Sequence, residues 1–289
     1  MTRVWILVDY WATIVEHCVL QADFGAKKGS TVSLAQQRYR YITKALHSEG
    51  SVTTIELARA LHVSTETVRR DLIQLERDGV LRRVYGGAVA PRRLRSAEPP
   101  YAQRTTISAN AKAMIGELAT TLVKPGQFVF LDVGTTAQAV AKALTQTFDG
   151  TIVSHSLLVA LELAQGPKAE LLLAPGRMRR GEWSLSGAAT HKFLADLHFD
   201  VAFISCGGVD ASEGPTDYDH DDVELKRTVA RNSKCAYIVA DSSKHGVVGR
   251  YGIASWYDFH GMVTDSAPPA GLATAIESVG GMIQLPGVA

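Results

Sequence analysis

From residue 36 the chain takes on a helical spacing: Tyr39, Ile42, Ala45 and Leu46 recur on one face, and Glu49-Gly50 closes the stretch. A second helix is predicted to open at Thr53, where Thr53-x-x-Glu56 has the form of a capping box, and to run through Ile55, Leu57, Ala58 and Leu61. After a short turn at His62-Val63, Ser64 stands where it can cap a third helix that continues through Val68, Leu72 and Leu75 to Asp78-Gly79. At about 100° per residue, Val68, Leu72 and Leu75 share one face while Arg70 and Arg77 point away from it. From Val80 to Ala88, apolar and polar residues alternate around Gly86-Gly87, the pattern of a short two-stranded wing.

Past residue 90 the punctuation changes. Pro91, Pro99 and Pro100, with Arg92, Arg93 and Arg95 between them, mark a linker. A helical pattern over 109–122 then leads through Lys124-Pro125-Gly126 into the apolar run 128–131, the loop Asp132-x-Gly134-Thr135-Thr136 and another helix. Strand candidates at 150–153, 170–173, 201–204 and 236–240 are separated by helical patterns such as 157–164 and 221–233, the order of an α/β domain with a largely parallel sheet. The predicted organisation is therefore multidomain. Residues 1–33 are an extension or start-site artefact, 34–90 a winged helix-turn-helix, 91–104 a linker and 105–289 an α/β effector-sensing domain.

Composition narrows the function. A length of 289 residues with 46% hydrophobic content supports a core in each domain and excludes global disorder. The overall charge of +1 conceals a basic segment, because residues 36–104 hold thirteen Lys or Arg against seven Asp or Glu. A basic small domain on a mildly acidic large one suits a protein that presents one part to a polyanion. Cys18, Cys206 and Cys235 have no C-x-x-C spacing, so neither a disulfide framework nor a zinc ribbon is indicated. No metal or cofactor is expected, and a reducing cytoplasm fits. The apolar stretch 4–20 is interrupted by Asp9, Glu16 and His17 and lacks a basic n-region, so neither a signal peptide nor a membrane partner is expected.

A projecting third helix with surrounding cations is what major-groove recognition requires. Arg70 can donate two parallel bonds to guanine, with Ser64, Thr65, Thr67, Arg69 and Arg77 around it. Arg82 and Arg83 in the wing suit phosphate neutralisation, which gives affinity without sequence information. Asp71 would repel phosphate and is read as a partner for an arginine within the helix. In the larger domain, Gly134 permits close backbone approach, and the hydroxyls of Thr135 and Thr136 join helix N-terminal N–H groups, so the loop can hold an anion. Further polar loops follow strand ends at 154–156, 205–208 and 241–244, which in a parallel sheet form one rim.

The run Val63-Ser64-Thr65-Glu66-Thr67-Val68-Arg69-Arg70-Asp71-Leu72, followed by Arg83-Val84-Tyr85-Gly86-Gly87-Ala88, resembles the helix-turn-helix signature of the DeoR family of bacterial regulators. That resemblance implies a winged fold and, usually, repression of sugar or polyol catabolic operons through operator DNA. Residues 105–265 are similar to the family's sensor, whose fold resembles ribose-5-phosphate isomerase and the coenzyme A transferases. It implies that Asp132 to Thr136 is a phosphate loop, that Lys244 of Asp241-Ser242-Ser243-Lys244 supplies a cation, and that 217–227 is a helix ending in Lys226-Arg227. A phosphorylated sugar or polyol, glycerol 3-phosphate among them, is the implied effector. The candidate effector residues are Asp132, Gly134, Thr135, Thr136, Ser154, His155, Gly207, Lys226 and Lys244.

Two departures qualify the likeness. His155 stands where many sensors have Asn, and Cys206-Gly207-Gly208 stands where the isomerase carries an acidic residue. Isomerisation needs carboxylates to move protons, so the second departure argues for binding without turnover. An isomerase-like enzyme with a DNA-binding appendage and an architectural DNA-binding protein stay as alternatives. Several residues admit two readings. His155 is a ligand donor or a hydrogen-bonded structural histidine, and Cys206 is a reactive thiol or a small buried residue. His220 among Asp217, Asp219, Asp221 and Asp222 is a metal site or a solvated helix entrance, and Arg177, Arg179 and Arg180 attract an anion or form a mobile basic loop. A homo-oligomer is expected, because paired heads can read symmetric half-sites.

Overall fold

The structure is a computed structural model that describes residues 33–89, 93–94, 97–145, 148–166 and 168–287. The expectations for residues 1–32, including Cys18, and for Pro91, Arg92 and Arg95 lie outside the described residues. Helix α1 runs from Leu34 to Glu49, and its first turn is held by Ser33, whose Oγ accepts from the Gln36 N–H at 3.2 Å. Residues 42–289 form one compact unit.

Strand β1 (Ser51–Thr53) precedes helix α2 (Thr54–Ala60), which Thr53 caps as its spacing predicted. The Thr53 hydroxyl accepts from the Glu56 N–H at 3.2 Å and donates to Glu56 Oε2 at 2.6 Å. His62, at a positive φ of 53°, turns the chain into helix α3 (Thr65–Arg77). Strands β2 (Arg82–Val84) and β3 (Gly87–Val89) make the wing, but the sheet has three strands in the order β1-β3-β2. The extra strand fixes Gly87, where an added Cβ would lie 2.0 Å from the Val52 carbonyl oxygen. Ile42, Leu46, Leu57, Val68, Leu72, Leu75 and Leu81 are buried, which leaves the other face of α3 to solvent.

Strand β4 (Arg93–Leu94) and helix α4 (Tyr101–Arg104) lie in the linker, and α5 (Ala109–Thr120) opens the larger domain. Then follow β5 (Phe128–Leu131), α6 (Thr135–Leu144), β6 (Thr151–Ser154), α7 (Leu157–Leu163) and β7 (Glu170–Leu173). A hairpin of β8 (Arg177–Arg179) and β9 (Ser184–Ser186) leads to α8 (Ala188–Ala195) and β10 (Phe199–Ser205). Next come β11 (Gly208–Asp210), β12 (Gly214–Asp217), α9 (His220–Arg231), β13 (Ser233–Val239), β14 (Val247–Val248) and β15 (Tyr251–Gly252). Strand β16 (Gly261–Val263), α10 (Ala270–Glu277) and β17 (Met282–Gln284) complete the chain.

Seven strands form one sheet in the order β17-β16-β13-β10-β5-β6-β7, with every pairing parallel. Its central strands are buried on both faces, which is why they read as apolar runs and not as alternations. Val129, Leu131, Val201 and Phe203 face a layer that includes Ile115, Val140 and Val159 of α5, α6 and α7. Phe130, Ala202, Ile204 and Ile238 face Leu194, Val229 and Ile276 of α8, α9 and α10. On that second side, Phe199 stacks against Phe128 at 5.5 Å between ring centroids. From β5 the order climbs outward through β6 to β7, whereas from β10 it runs the opposite way through β13. The gap between the carboxyl ends of β5 and β10 is therefore the topological switch point, where open α/β sheets leave a crevice. Among the described residues, no helix is long and apolar enough to cross a membrane.

Candidate functional site

On the small domain, Ser64 caps α3 by accepting from the Thr67 N–H at 3.1 Å, and the two hydroxyls lie 2.9 Å apart. Thr65 is exposed beside them, Thr67 is half-buried, and Arg77 and Arg82 are exposed. The side chains of Arg69 and Arg70 are 65% and 78% exposed and sit within 3.7 Å of Glu66, surface pairs weak enough to release the guanidinium groups. Arg83 differs from the other wing arginine. Its N–H and Nε donate to Glu76 at 2.8 and 2.9 Å, and the backbone bond and then the guanidinium hold the Glu76 carboxyl below its ordinary range. Arg83 thus ties the wing to the third helix. Asp71 is buried in the helix and presents no charge to a phosphate.

At the switch point, a cavity of about 350 Å³ opens beneath the loop that follows β5. Of the candidate effector residues, Gly134, Thr135, Thr136, Lys226 and Lys244 line it. Gly134, the N-cap of α6, has φ 98° and makes no side-chain capping bond, so among the described residues the N-terminus of that helix is uncapped.

The other four candidates are corrected, because Asp132, Ser154, His155 and Gly207 do not line the cavity. Asp132 is fully buried behind it and binds the neighbouring elements together. Its Oδ1 lies 3.0 Å from His155 Nε2, and its Oδ2 accepts from Ser205 N and Oγ, each at 2.9 Å. The His155 ring is also fully buried, and its Nδ1 lies 3.0 Å from the Leu185 carbonyl, so both nitrogens are engaged and the structural reading of this histidine holds. Ser154 Oγ accepts from the Ser156 N–H at 3.0 Å. Gly207 lies against the Tyr218 ring, where a Cβ would come within 2.4 Å.

Lys226 borders the cavity, yet its ammonium donates to Asp217 Oδ2 and to the Ser205 carbonyl at 3.0 Å and forms an ion pair with Asp132 Oδ2 at 3.2 Å. Burial alone would lower its pKa, and the Asp132 and Asp217 carboxylates outweigh it and raise it. Burial alone would raise the Asp132 pKa, and Lys226 and His155 hold it well below the carboxylate range. The three groups form a buried charged unit that fixes the floor of the site.

The walls carry residues that sequence reasoning missed. Arg104, assigned to the linker, points into the cavity, and its Nη1 would lie 3.7 Å from a Cβ placed on Gly134. Glu98 and Glu182 pair with it, the first at 3.3 Å. Arg179 belongs to strand β8 and binds Asp222, so the basic segment is a hairpin and not a loop. The acidic run forms the entrance of α9: Asp219 caps it, Asp217 binds Lys226, and Asp222 is buried. Asp222 Oδ1 finds no hydrogen-bond partner among the described residues, and burial raises this carboxyl above its ordinary value. Burial pushes the Cys206 thiol up to about 12, which leaves it protonated and unreactive at neutral pH. The missed signal for Arg104 lies in Glu98-Pro-Pro-Tyr-x-x-Arg104, a charged pair spaced across a Pro-initiated helix.

Residues 38–93 match the model of the DeoR-like helix-turn-helix domain, and residues 107–266 that of the DeoR C terminal sensor domain. The chain is 32% identical to the HTH-type transcriptional regulator GolR of Listeria innocua over 80% of its own length and 90% of that protein. It is 30% identical to the glycerol-3-phosphate regulon repressor of Escherichia coli strain K12, over 81% of this chain and 92% of the repressor. Among solved structures, ribose 5-phosphate isomerase A from Methanocaldococcus jannaschii is similar over 49% of this chain and 55% of that one, at 17% identity and a TM-score of 0.36.

Proposed function

Because the chain belongs to the DeoR family of DNA-binding transcriptional regulators, we propose that it represses a sugar or polyol catabolic operon and is released by a phosphorylated sugar or polyol. One observation carries the effector class. The cavity combines an uncapped helix N-terminus and the cations Lys244 and Arg104, which suit a phosphate, with the buried, unpartnered Asp222 Oδ1, which suits a ligand hydroxyl. The name of one relative, the glycerol-3-phosphate regulon repressor, supports a phosphorylated polyol.

In this reading Arg70 reads a base edge, with Ser64, Thr65, Thr67, Arg69 and Arg77 beside it, and Arg82 contacts phosphate. Arg83 reaches DNA from its place on Glu76. Thr135 and Thr136 hold the effector's phosphate with Lys244, while Asp132, His155 and Lys226 keep that loop in place. The regulator acts in the cytoplasm as a homo-oligomer without a cofactor. Calorimetry on the full chain with glycerol 3-phosphate and with glycerol tests the effector class. Heat with the phosphate ester alone supports it, and equal affinity for both compounds sinks it.

A further inference from the structure

The cations facing the anion loop are already occupied by a carboxylate from the segment that joins the two domains. Glu98 Oε1 lies 3.1 Å from Lys244 Nζ and 3.3 Å from Arg104 Nη1, so one oxygen bridges both groups. All three side chains are less than one-fifth exposed, which shields the pairs from solvent. The same guanidinium donates through Nε to the Pro99 carbonyl at 2.9 Å, gripping the backbone next to Glu98. Upstream, β4 pairs in parallel with β14, with Arg93 opposite Val247 and Leu94 opposite Val248. The connecting segment is thus laid on the sensor at two points, one of them inside the cavity.

A carboxylate and a phosphate ask for the same partners. Both are oxyanions that take charge-assisted bonds from guanidinium and ammonium groups, and Arg matches phosphate in bidentate fashion. Arg104 Nη1 also borders the space beside Gly134, so a phosphate on the α6 N-terminus comes within its reach. A phosphate seated on Arg104 and Lys244 cannot share them with Glu98, because two anions at that separation repel in a poorly screened site. The buried Asp222 Oδ1 in the same cavity is an independent sign that the site is built for a ligand.

We propose that Arg104 is a phosphate-binding residue alongside Lys244, and that Glu98 is an internal anion which the effector's phosphate displaces, freeing the linker from the sensor. The inference rests on the phosphorylated-effector reading and supplies its route to the DNA-reading head. Ligand occupancy and the docked linker exclude one another at one pair of cations, which is the differential interaction that coupling requires.

The test uses the full chain with inorganic phosphate and with glycerol 3-phosphate. Glu98→Gln removes the competing charge and keeps the side-chain size, so both ligands should bind roughly fivefold or more tightly than to the unaltered protein, the low end of ordinary coupling. Arg104→Gln should lose phosphate binding. Hydrogen exchange on the unaltered protein adds a readout that needs no variant: phosphate should speed exchange at the amides of Arg93, Leu94, Ala97 and Glu98. Equal phosphate affinity in Glu98→Gln and the unaltered protein, or exchange at those amides indifferent to bound phosphate, overturns the displacement while leaving the effector class standing. If neither protein takes up phosphate or its ester, the effector class falls and the displacement falls with it.

Discussion

Asp132→Asn tests whether the buried charged unit holds the site together. The substitution keeps the shape but removes the charge that faces Lys226 at 3.2 Å, and it turns one acceptor into an NH₂ donor among groups that already donate. Breaking a buried pair costs about 3–5 kcal/mol when one charge is left unmatched. Lys226 keeps Asp217 and the Ser205 carbonyl, so the loss should fall near the bottom of that range, about 3 kcal/mol. In a domain of this size it lowers the melting temperature by about 6–12 °C. The sign of the pH dependence follows from the depressed pKa of Asp132 and the raised pKa of His155. The carboxylate's own contribution is present above the unfolded carboxylate pKa and is lost only as pH falls through the folded value, but the raised pKa of His155 depends on the same carboxylate, so the deficit should shrink as pH rises through the folded histidine value. Urea denaturation of both proteins across that rise in pH, followed by circular dichroism, measures it. A loss below about 1 kcal/mol would refute the assignment of Asp132 to the scaffold, since no buried charge would then have been stranded.

His155 itself carries that dependence. Burial lowers its pKa, but the bond and charge of Asp132 outweigh that and raise it, so its contribution is complete below the unfolded value and fades as pH rises through the folded one. The stability gap between His155→Gln and the unaltered protein should therefore narrow on raising the pH, and a gap that widens contradicts the pairing. Arg70→Ala should cost about 1–3 kcal/mol at one base pair of the operator and leave the fold intact, since its side chain is 78% exposed. Arg82→Ala should weaken binding to every sequence and lower the salt slope by about one, and an unchanged slope in binding titrations removes it from the phosphate contacts. Sedimentation should show a species heavier than one chain; monomer alone, free and on DNA, argues against assembly.

The head was legible because its signals are local. Thr53 and Ser64 cap helices within three residues of themselves, and Val68, Leu72 and Leu75 declare one face at helical spacing. Strand β1 escaped notice since three residues, only one of them buried, are too few for an alternation. In the larger domain, the loop at Gly134 and the cation at Lys244 were readable as strand-end motifs, whereas their neighbours were not. Whether His155 faces ligand or Asp132 depends on a contact across 23 positions, and Glu98 meets Lys244 across 146. Arg104 read as linker because its local signal, the Glu98–Arg104 pair spaced across a Pro-initiated helix, suits a solvated cation as well as one folded back into a cavity.

Fluorescence anisotropy of labelled operator DNA, titrated with glycerol 3-phosphate and separately with glycerol, shows whether a phosphorylated effector controls DNA binding. The phosphate ester should change DNA affinity at concentrations where glycerol has no effect, and Thr136→Ala should keep DNA affinity but lose that response. Equal potency of the two compounds, or an undiminished response in Thr136→Ala, would overturn the phosphorylated-effector reading.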